Sequence, residues 1–500
     1  MLPDNVFLLV FDFCGTDETR YNWWHALVHV CRRWRQVIFA SPRRLNLRLL
    51  CTRKTPVRKN LGIWPAIPID VCDKFAVDPK DEDNILAALE YCNRIRKVSL
   101  KLTKPQLEKV AMAMQVPFPA LSHLRISLYY PPHGGYSPPS PPSEGESPPD
   151  LPSEDEYDVP SSEDEYYMPS RDESRHVFTL RYLGGNASSL QKISFTGISF
   201  PALPALLLSA NNLVILHLYG VYNLSAPGTL VAGLAATTRL EDLSIKFNCR
   251  SFPLSDNSAP PPSRAVLPTL TRFQFHGDYT YLVNLVAQID CPQLKFIDVR
   301  YSDEVIHPFQ LIQFIGRSEV LELAPFRRAQ VDSGQVSIDL AGSRAESHPS
   351  RLKVEFPLGI PALREMIQLL IPASAMLTTV CHLSVFHSEY RDNFVYTGIA
   401  DWIEFFRLFP AVETLHFQIA WGSAAVVTSI DAVFDELMVS GALSALRFLS
   451  VHGPPTRSVL QFISARQASG CPVALVKTRE ELKIHEACCE TVGVVDKHTV

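Results

Sequence analysis

The sequence predicts an α/β chain: a small N-terminal helical module, then an irregular solenoid of strand–helix repeats interrupted by a disordered acidic insertion. Three observations predict it. A short apolar template recurs along most of the chain, mostly at steps of 23 to 34 residues. Runs with helical spacing lie between its occurrences. The one outlying step, of 69 residues, contains a stretch dominated by proline, serine and acidic residues. A short-strand α/β domain without true periodicity is the competing reading.

The first forty residues read as helices. Val6, Leu9, Val10 and Phe13 fall at i, i+3, i+4 and i+7, one apolar helix face. Pro3 suits a first helical position, where its missing N–H has no intrahelical partner to lose. Asp4 in that turn favours the positive end of the helix dipole. Gly15-Thr16-Asp17 breaks the pattern. A second run carries Trp24, Leu27, Cys31, Trp34 and Ile38 at spacings of 3, 4, 3 and 4. That is a narrow stripe for burial against a partner helix. Ser41-Pro42 ends it, because proline disfavours helical backbone in the residue before it. So short a segment holds too little core to stand alone and is expected to pack on something else.

The template L-x-x-L-x-L, with any apolar residue accepted, starts at Ile95/Val98/Leu100 and Leu121/Leu124/Ile126. It continues at Leu190/Ile193/Phe195, Leu213/Leu216/Leu218, Leu240/Leu243/Ile245, Leu270/Phe273/Phe275 and Leu294/Ile297/Val299. Then come Leu321/Leu323, Leu352/Val354, Val380/Leu383/Val385, Val412/Leu415/Phe417 and Leu446/Leu449/Val451. Helix-like runs fill the intervals at Ala202–Ser209, Leu230–Ala236, Tyr281–Ile289, Phe309–Ile315, Ile360–Leu370 and Asp401–Leu408. Strand then helix, repeated at more than ~20 residues per unit, is the leucine-rich-repeat pattern with helices on one side. The Asn that usually follows the last Leu by three residues is met at Asn248, but the equivalent positions elsewhere hold Ile198, Val221, Asp278 and Ser302.

The outlying step has a compositional cause. Pro131 to Ser170 contains ten acidic residues, no Lys or Arg, and 11 of the 39 prolines. Removing about 45 residues leaves about 24, an ordinary repeat step. The stretch therefore reads as an insertion into one repeat. It has too little apolar surface to offset the entropy of ordering and is expected to be disordered. The expected organisation is an N-terminal module over 1–55, the start of the array over 56–130, the insertion over 131–175, the rest of the array over 176–480 and a tail over 481–500.

The net charge of −5 conceals a division. The insertion carries −10, whereas Met1–Asn60 carries eleven basic against four acidic residues, or +7. The whole-chain balance makes no case for nucleic acid. Eleven scattered cysteines with no C-x-x-C pair argue against a disulfide framework and a zinc module, and for a reducing compartment. No signal peptide and no membrane-spanning segment are expected. The expected location is cytoplasmic or nuclear, or both.

Leu2-Pro3-Asp4-Asn5-Val6, followed by Val30-Cys31-Arg32-Arg33-Trp34-Arg35-Gln36-Val37, resembles an F-box. The family's marks are a Leu-Pro opening and a V-C-R-x-W block ending its helical segments. Ser41-Pro42-Arg43-Arg44-Leu45-Asn46-Leu47 and Thr55-Pro56-Val57-Arg58 look like fungal-type F-box proteins in which the box leads into a degenerate leucine-rich array. The loop Cys14–Tyr21 is longer than a minimal box has. The resemblance implies a non-catalytic adaptor, the substrate-recognition subunit of an SCF ubiquitin ligase. Leu2, Pro3, Val6, Leu9, Leu27, Val30 and Trp34 would dock on a Skp-family protein, and through it reach cullin and RING subunits. The array would bind the target protein. A non-ligase scaffold built on the same array is the alternative.

Each feature also has a plainer reading. An apolar helix face is usually core, and only the Trp34 block turns Leu2, Pro3, Val6 and Leu9 toward a partner. The basic residues from Arg32 to Lys59 read as a solvated surface or as a match for an acidic partner groove, with no nucleic-acid motif beside them. Ser153 and Ser162 each precede three acidic residues and a tyrosine, which suits acidophilic kinases, although a merely solubilising insertion is the plainer and favoured reading. No nucleotide-binding, serine-hydrolase or zinc-protease motif occurs. His25 and His29 are four apart but lack a third ligand, so neither a metal nor another cofactor is expected.

Overall fold

The computed structural model describes residues 6, 9–10, 29–40, 47–52, 55–64, 66–72, 82–128, 182–221, 224–247, 264–301, 309–322, 326–332, 337–341, 351–355, 367, 374–387, 399–419, 424–451 and 456–476. The chain is mixed α/β with a long, mostly parallel sheet. It divides into two compact units, Met1–Asn186 with Phe195–Pro201, and Ala187–Ser194 with Ala202–Val500. The insertion and the C-terminal tail expected from the sequence lie outside the described residues.

In the first unit α1 (Arg32–Ala40), β1 (Leu47–Leu50), α2 (Val57–Ile63), β2 (Ile69–Cys72), α3 (Glu82–Leu89), β3 (Ile95–Leu102), α4 (Lys104–Ala113) and β4 (His123–Leu128) follow in order. The four strands pair in chain order, all parallel. Leu49, Val71, Val98 and Leu124 stand opposite one another across the four strands and are buried. Alternation of side chains along a strand puts this ladder on one face. Beside it, on the other face, Asp70 is nearly buried and is held by the Arg96 guanidinium at 3.0 to 3.1 Å. Helix α4 starts at a capping box, in which the Thr103 N–H donates to Gln106 Oε1 at 3.0 Å. After residue 181 the chain turns through Leu183, Gly184 and Gly185 at positive φ. Leu183 N–H donates to the Met114 carbonyl at 2.7 Å, and the Tyr182 hydroxyl donates to Met114 Sδ at 3.3 Å.

Two expectations change here. Strand β1 lies inside the stretch assigned to the N-terminal module. Its two inward residues, Leu47 and Leu49, are too few for a three-position template to register. The helix expected from Trp24 through Ile38 is interrupted: His29-Val30 is a turn and α1 begins only at Arg32. Cys31 explains the break. Its Sγ accepts the Trp34 N–H at 3.4 Å and its carbonyl accepts the Arg35 N–H at 3.1 Å, the geometry of a cap.

Strand β5 (Lys192–Thr196) carries residues of both units. The second unit continues with α5 (Leu203–Leu207), β6 (Ile215–Val221), α6 (Pro227–Leu234), β7 (Asp242–Phe247), β8 (Ala265–Val266), β9 (Arg272–Gly277), α7 (Tyr279–Gln288), β10 (Ile289–Asp290) and β11 (Phe296–Tyr301). Next are α8 (Phe309–Gly316), α9 (Glu319–Glu322), β12 (Arg328–Asp332), β13 (Ser337–Ala341), β14 (Arg351–Glu355), α10 (Ser374–Leu377) and β15 (His382–His387). The last elements are α11 (Ile399–Arg407), β16 (Thr414–Ile419), α12 (Ala424–Ser440), β17 (Phe448–Val451), α13 (Arg457–Ala468) and β18 (Ala474–Val476).

From β6 onward the spatial order is β6-β7-β9-β11-β14-β13-β12-β15-β16-β17-β18, with β8 and β10 forming a separate parallel pair. Thus β12, β13 and β14 form an antiparallel meander set into the sheet in reverse order. Its first strand pairs with β15 and its last with β11, both parallel. The sequence template placed a strand at Leu321/Leu323; Leu321 instead sits in α9, and Leu323 lies outside the described residues. The local cause is Ser318. Its hydroxyl donates to the Leu294 carbonyl at 2.8 Å and accepts the Leu321 N–H at 3.3 Å, starting a helical turn.

The inward ladder crosses the meander unbroken. Leu216, Leu243, Phe273, Ile297, Leu352, Leu340, Ala329, Leu383, Leu415 and Leu449 are successive register partners, and all are buried. Helices pack on this face: Phe273 meets Phe314 of α8 at 5.5 Å, and Phe417 meets Trp402 of α11 and Phe434 of α12, each at 6.1 Å. Each large buried side chain contributes about 1.5–3 kcal/mol relative to exposure. Successive helix ends are tied by polar side chains. Arg317 Nη2 donates to the carbonyls of Val286 and Ile289 at 2.7 and 3.1 Å, and Arg466 Nη2 to those of Ser444 and Leu446 at 2.9 and 3.1 Å. Hydroxyls of Thr237, Thr269 and Thr379 donate to turn carbonyls.

Helix α6 approaches α5 so closely that a Cβ on Gly233 would stand 2.8 Å from the Pro204 carbonyl oxygen and 3.0 Å from its Cα. Alanine is worth about 1 kcal/mol over glycine within a helix, but here it must displace backbone. Gly233→Ala is therefore expected to lower stability, read as a reduced midpoint in chemical denaturation. A raised midpoint would show that the α5–α6 approach is looser than described.

Candidate functional site

Two surfaces hold the functional candidates. The first is the N-terminal edge. Among its sequence-predicted residues, Val6 is part-buried, Leu9 is 64% exposed and Val30 is 58% exposed. Leu2, Pro3 and Leu27 lie outside the described residues. Trp34 is part-buried, Val37 is buried, and Arg32 and Arg35 are exposed. Cys31 is exposed, not buried with Trp34 as the stripe implied, because it stands at the start of α1 rather than within a helix. The basic surface nearby is partly committed. Arg58 makes two hydrogen bonds to Glu90, at 2.6 and 2.7 Å. That contact raises the arginine pKa and lowers the carboxylate's.

The second surface is the outward face of the strands in the second unit. Register fixes it as rows. One row runs Asp242, Arg272, Phe296, Arg351, Ala341, Arg328, His382 across β7, β9, β11, β14, β13, β12 and β15. The neighbouring row runs His217, Ser244, Gln274, Asp298, Lys353, Asp339, Gln330. A third places Tyr219, Lys246, His276, Arg300, Glu355, Ser337 and Asp332 in line. In the first row, Phe296 lies between two guanidinium groups. That of Arg272 is 4.2 Å from its ring centroid and that of Arg351 is 6.0 Å away. Stacking of this kind orients a guanidinium against the ring face.

The second row is polar and close-packed. His217 Nε2 lies 3.3 Å from Asp242 Oδ2. Ser244 is wholly buried, and its Oγ has no hydrogen-bond partner, nor have Asp242 Oδ1 and Asp298 Oδ1. Among the described residues no group of three or more His, Cys, Asp and Glu is arranged to hold a metal ion. His29 is exposed and His25 lies outside the described residues. Ser153 and Ser162 also lie outside them. No helix among the described residues is long and apolar enough to cross a membrane.

No family model matches the chain, and no curated protein matches it.

Sequence reasoning did not find the Arg272–Phe296–Arg351–Arg328 row. A signal was present, since each of the four immediately precedes a buried ladder residue: Phe273, Ile297, Leu352 and Ala329. Sequence distance hid their proximity.

The placement of the cysteines predicts differential reactivity. Cys31 is exposed, whereas Cys51 and Cys291 are buried, and burial pushes the Cys291 thiol pKa well up. The thiolate is the reacting species. Brief alkylation of the native chain, mapped by mass spectrometry, is expected to modify Cys31 ahead of both. Equal labelling of Cys31 and Cys291 would contradict the described start of α1.

Proposed function

We infer that this chain is the substrate-recognition adaptor of an SCF-type ubiquitin ligase. Its N-terminal box docks on a Skp-family protein, and the following leucine-rich-repeat array binds the target. Ubiquitin transfer belongs to the other subunits. The observation that carries this reading is the apolar N-terminal edge. Leu9, Val10 and Val30 are large apolar side chains exposed to solvent, the last at the head of the Val30-Cys31-Arg32-Arg33-Trp34 block. Large apolar side chains left exposed in the stretch that carries the box motif support a surface that another protein covers. The array supports it as well, since its inward face is used up in packing while outward positions such as Arg272 and Gln330 are exposed.

Co-purification of the tagged full chain with a recombinant Skp protein tests the assignment. The wild type is expected to retain the Skp protein. A Leu2→Ala/Pro3→Ala variant and a Leu9→Asp/Val30→Asp variant are each expected to lose binding by about tenfold or more, as truncated interface anchors do. No retention by the wild type would overturn the function. Undiminished retention by both folded variants would overturn the docking site.

A further inference from the structure

We propose that the outward face of the four-stranded sheet in the first unit docks an extended acidic segment of a partner protein, with Lys97 and Arg125 as its contacts. The proposal rests on the reading of the array as the target-binding part, and names the chemistry of the target. Register fixes the face. One row runs Arg48, Asp70, Lys97, His123 across β1 to β4, and the next runs Leu50, Cys72, Ser99, Arg125. Lys101 stands opposite Ser127, further along β3 and β4. The register shifts between Ile69 and Asp70, so that Ile95 faces Ile69 but Lys97 faces Asp70. The extra residue is Arg96. A bulge re-aims a side chain, and here the guanidinium reaches the Asp70 carboxylate. These strands thus carry five basic side chains, Arg48, Arg96, Lys97, Lys101 and Arg125, against one carboxylate. The three outward rows of the second unit carry six basic against five acidic. One-signed charge is therefore confined to the first unit's face, where it attracts a partner of opposite sign.

The one carboxylate does not neutralise this face. Asp70 is 3% exposed, and Arg96 takes both its oxygens at 3.0 to 3.1 Å. Arg48, Lys101 and His123 have further interactions, so they add to the field rather than to the contact. Lys97 is part-buried and Arg125 exposed, and neither has a hydrogen bond or ion pair among the described residues. Lys97 faces His123, and Arg125 lies two residues beyond it. With strands about 4.8 Å apart and a rise of about 3.3 Å per residue, their Cα atoms are about 8 Å apart. Ser99, opposite Arg125, stands between them on the same face. An extended segment turns every second side chain the same way, about 6.6 Å apart. Carboxylates on alternate residues therefore reach both cations within the freedom of two long side chains. Single-stranded nucleic acid binds by stacking its bases on aromatic rings, and the described residues of these rows include no Phe, Tyr or Trp.

Fluorescence anisotropy with the full chain and two labelled peptides provides the test. One alternates glutamate with serine, and the other has glutamine in place of each glutamate. The glutamate peptide is expected to bind about tenfold tighter than its neutral counterpart, with affinity falling as salt rises. Lys97→Gln and Arg125→Gln are each expected to weaken it about threefold, in the range of exposed ion pairs, and the double variant about tenfold. Lys59→Gln, on α2, removes the same charge away from the sheet and is expected to leave binding unchanged. The chain's own stretch around Ser153 and Ser162 is also acidic, so a second chain carrying Glu154→Gln, Asp155→Asn, Glu156→Gln, Glu163→Gln, Asp164→Asn and Glu165→Gln is assayed beside the wild type. Tighter binding by this chain would show that the face takes acidic segments and that its own stretch competes for it. No binding of the glutamate peptide by either chain would overturn the proposal. So would equal affinity for the two peptides, no effect of the double variant, or tighter binding of a single-stranded oligonucleotide. The assay contains no Skp protein, so its failure leaves the docking assignment to be judged by co-purification alone.

Discussion

The register of the inward ladder is the constraint on which the second unit depends. From Leu216 to Leu449, each strand contributes one buried residue opposite the last. Side chains alternate along a strand, so slipping any strand by one residue would expose its apolar set and bury its charges. That penalty also determines what lies outward. Once Phe273, Ile297, Leu352 and Ala329 face the helices, Arg272, Phe296, Arg351 and Arg328 must face away, in one row. The outward row is thus a consequence of core packing rather than a separate device.

The meander shows how strict the ladder is and how loose the connections are. β12, β13 and β14 reverse both direction and spatial order, yet Leu340 and Ala329 continue the line of buried residues. Apolar burial is non-directional, so an antiparallel strand serves as well as a parallel one when its alternation is in phase. Polar atoms are more demanding. Helix ends leave carbonyls unmatched, and in this chain Arg317, Arg466 and a set of turn hydroxyls bind them.

Charge has a similar two-level character. The sum of −5 comprises an acidic insertion and a basic N-terminal stretch, which compositional counting separates. Counting has no access to the arginine row, because its members are separated by 79 positions at the extremes. Nor does it register that Arg58 is engaged by Glu90. Cys31 teaches the same lesson in miniature. Its spacing from Leu27 and Trp34 fits a buried stripe, but a thiol that accepts the Trp34 N–H starts a helix and stays in solvent.

The sequence by itself determined the strand–helix alternation, the positions of most inward strand residues and the helices at Phe309, Tyr281 and Asp401, because those signals are periodic and local. Only the tertiary structure decided three things: the early strand at Leu47, the helical turn at Leu321 and the reversed order of β12 to β14. Each depends on a partner distant in the chain: Ile69 opposite Leu47, the Leu294 carbonyl that takes the Ser318 hydroxyl, and β11 and β15 on either side of the meander. Periodicity records which face a residue needs to bury. It carries no record of which strand will lie beside it, and the row of arginines exists only through that second fact.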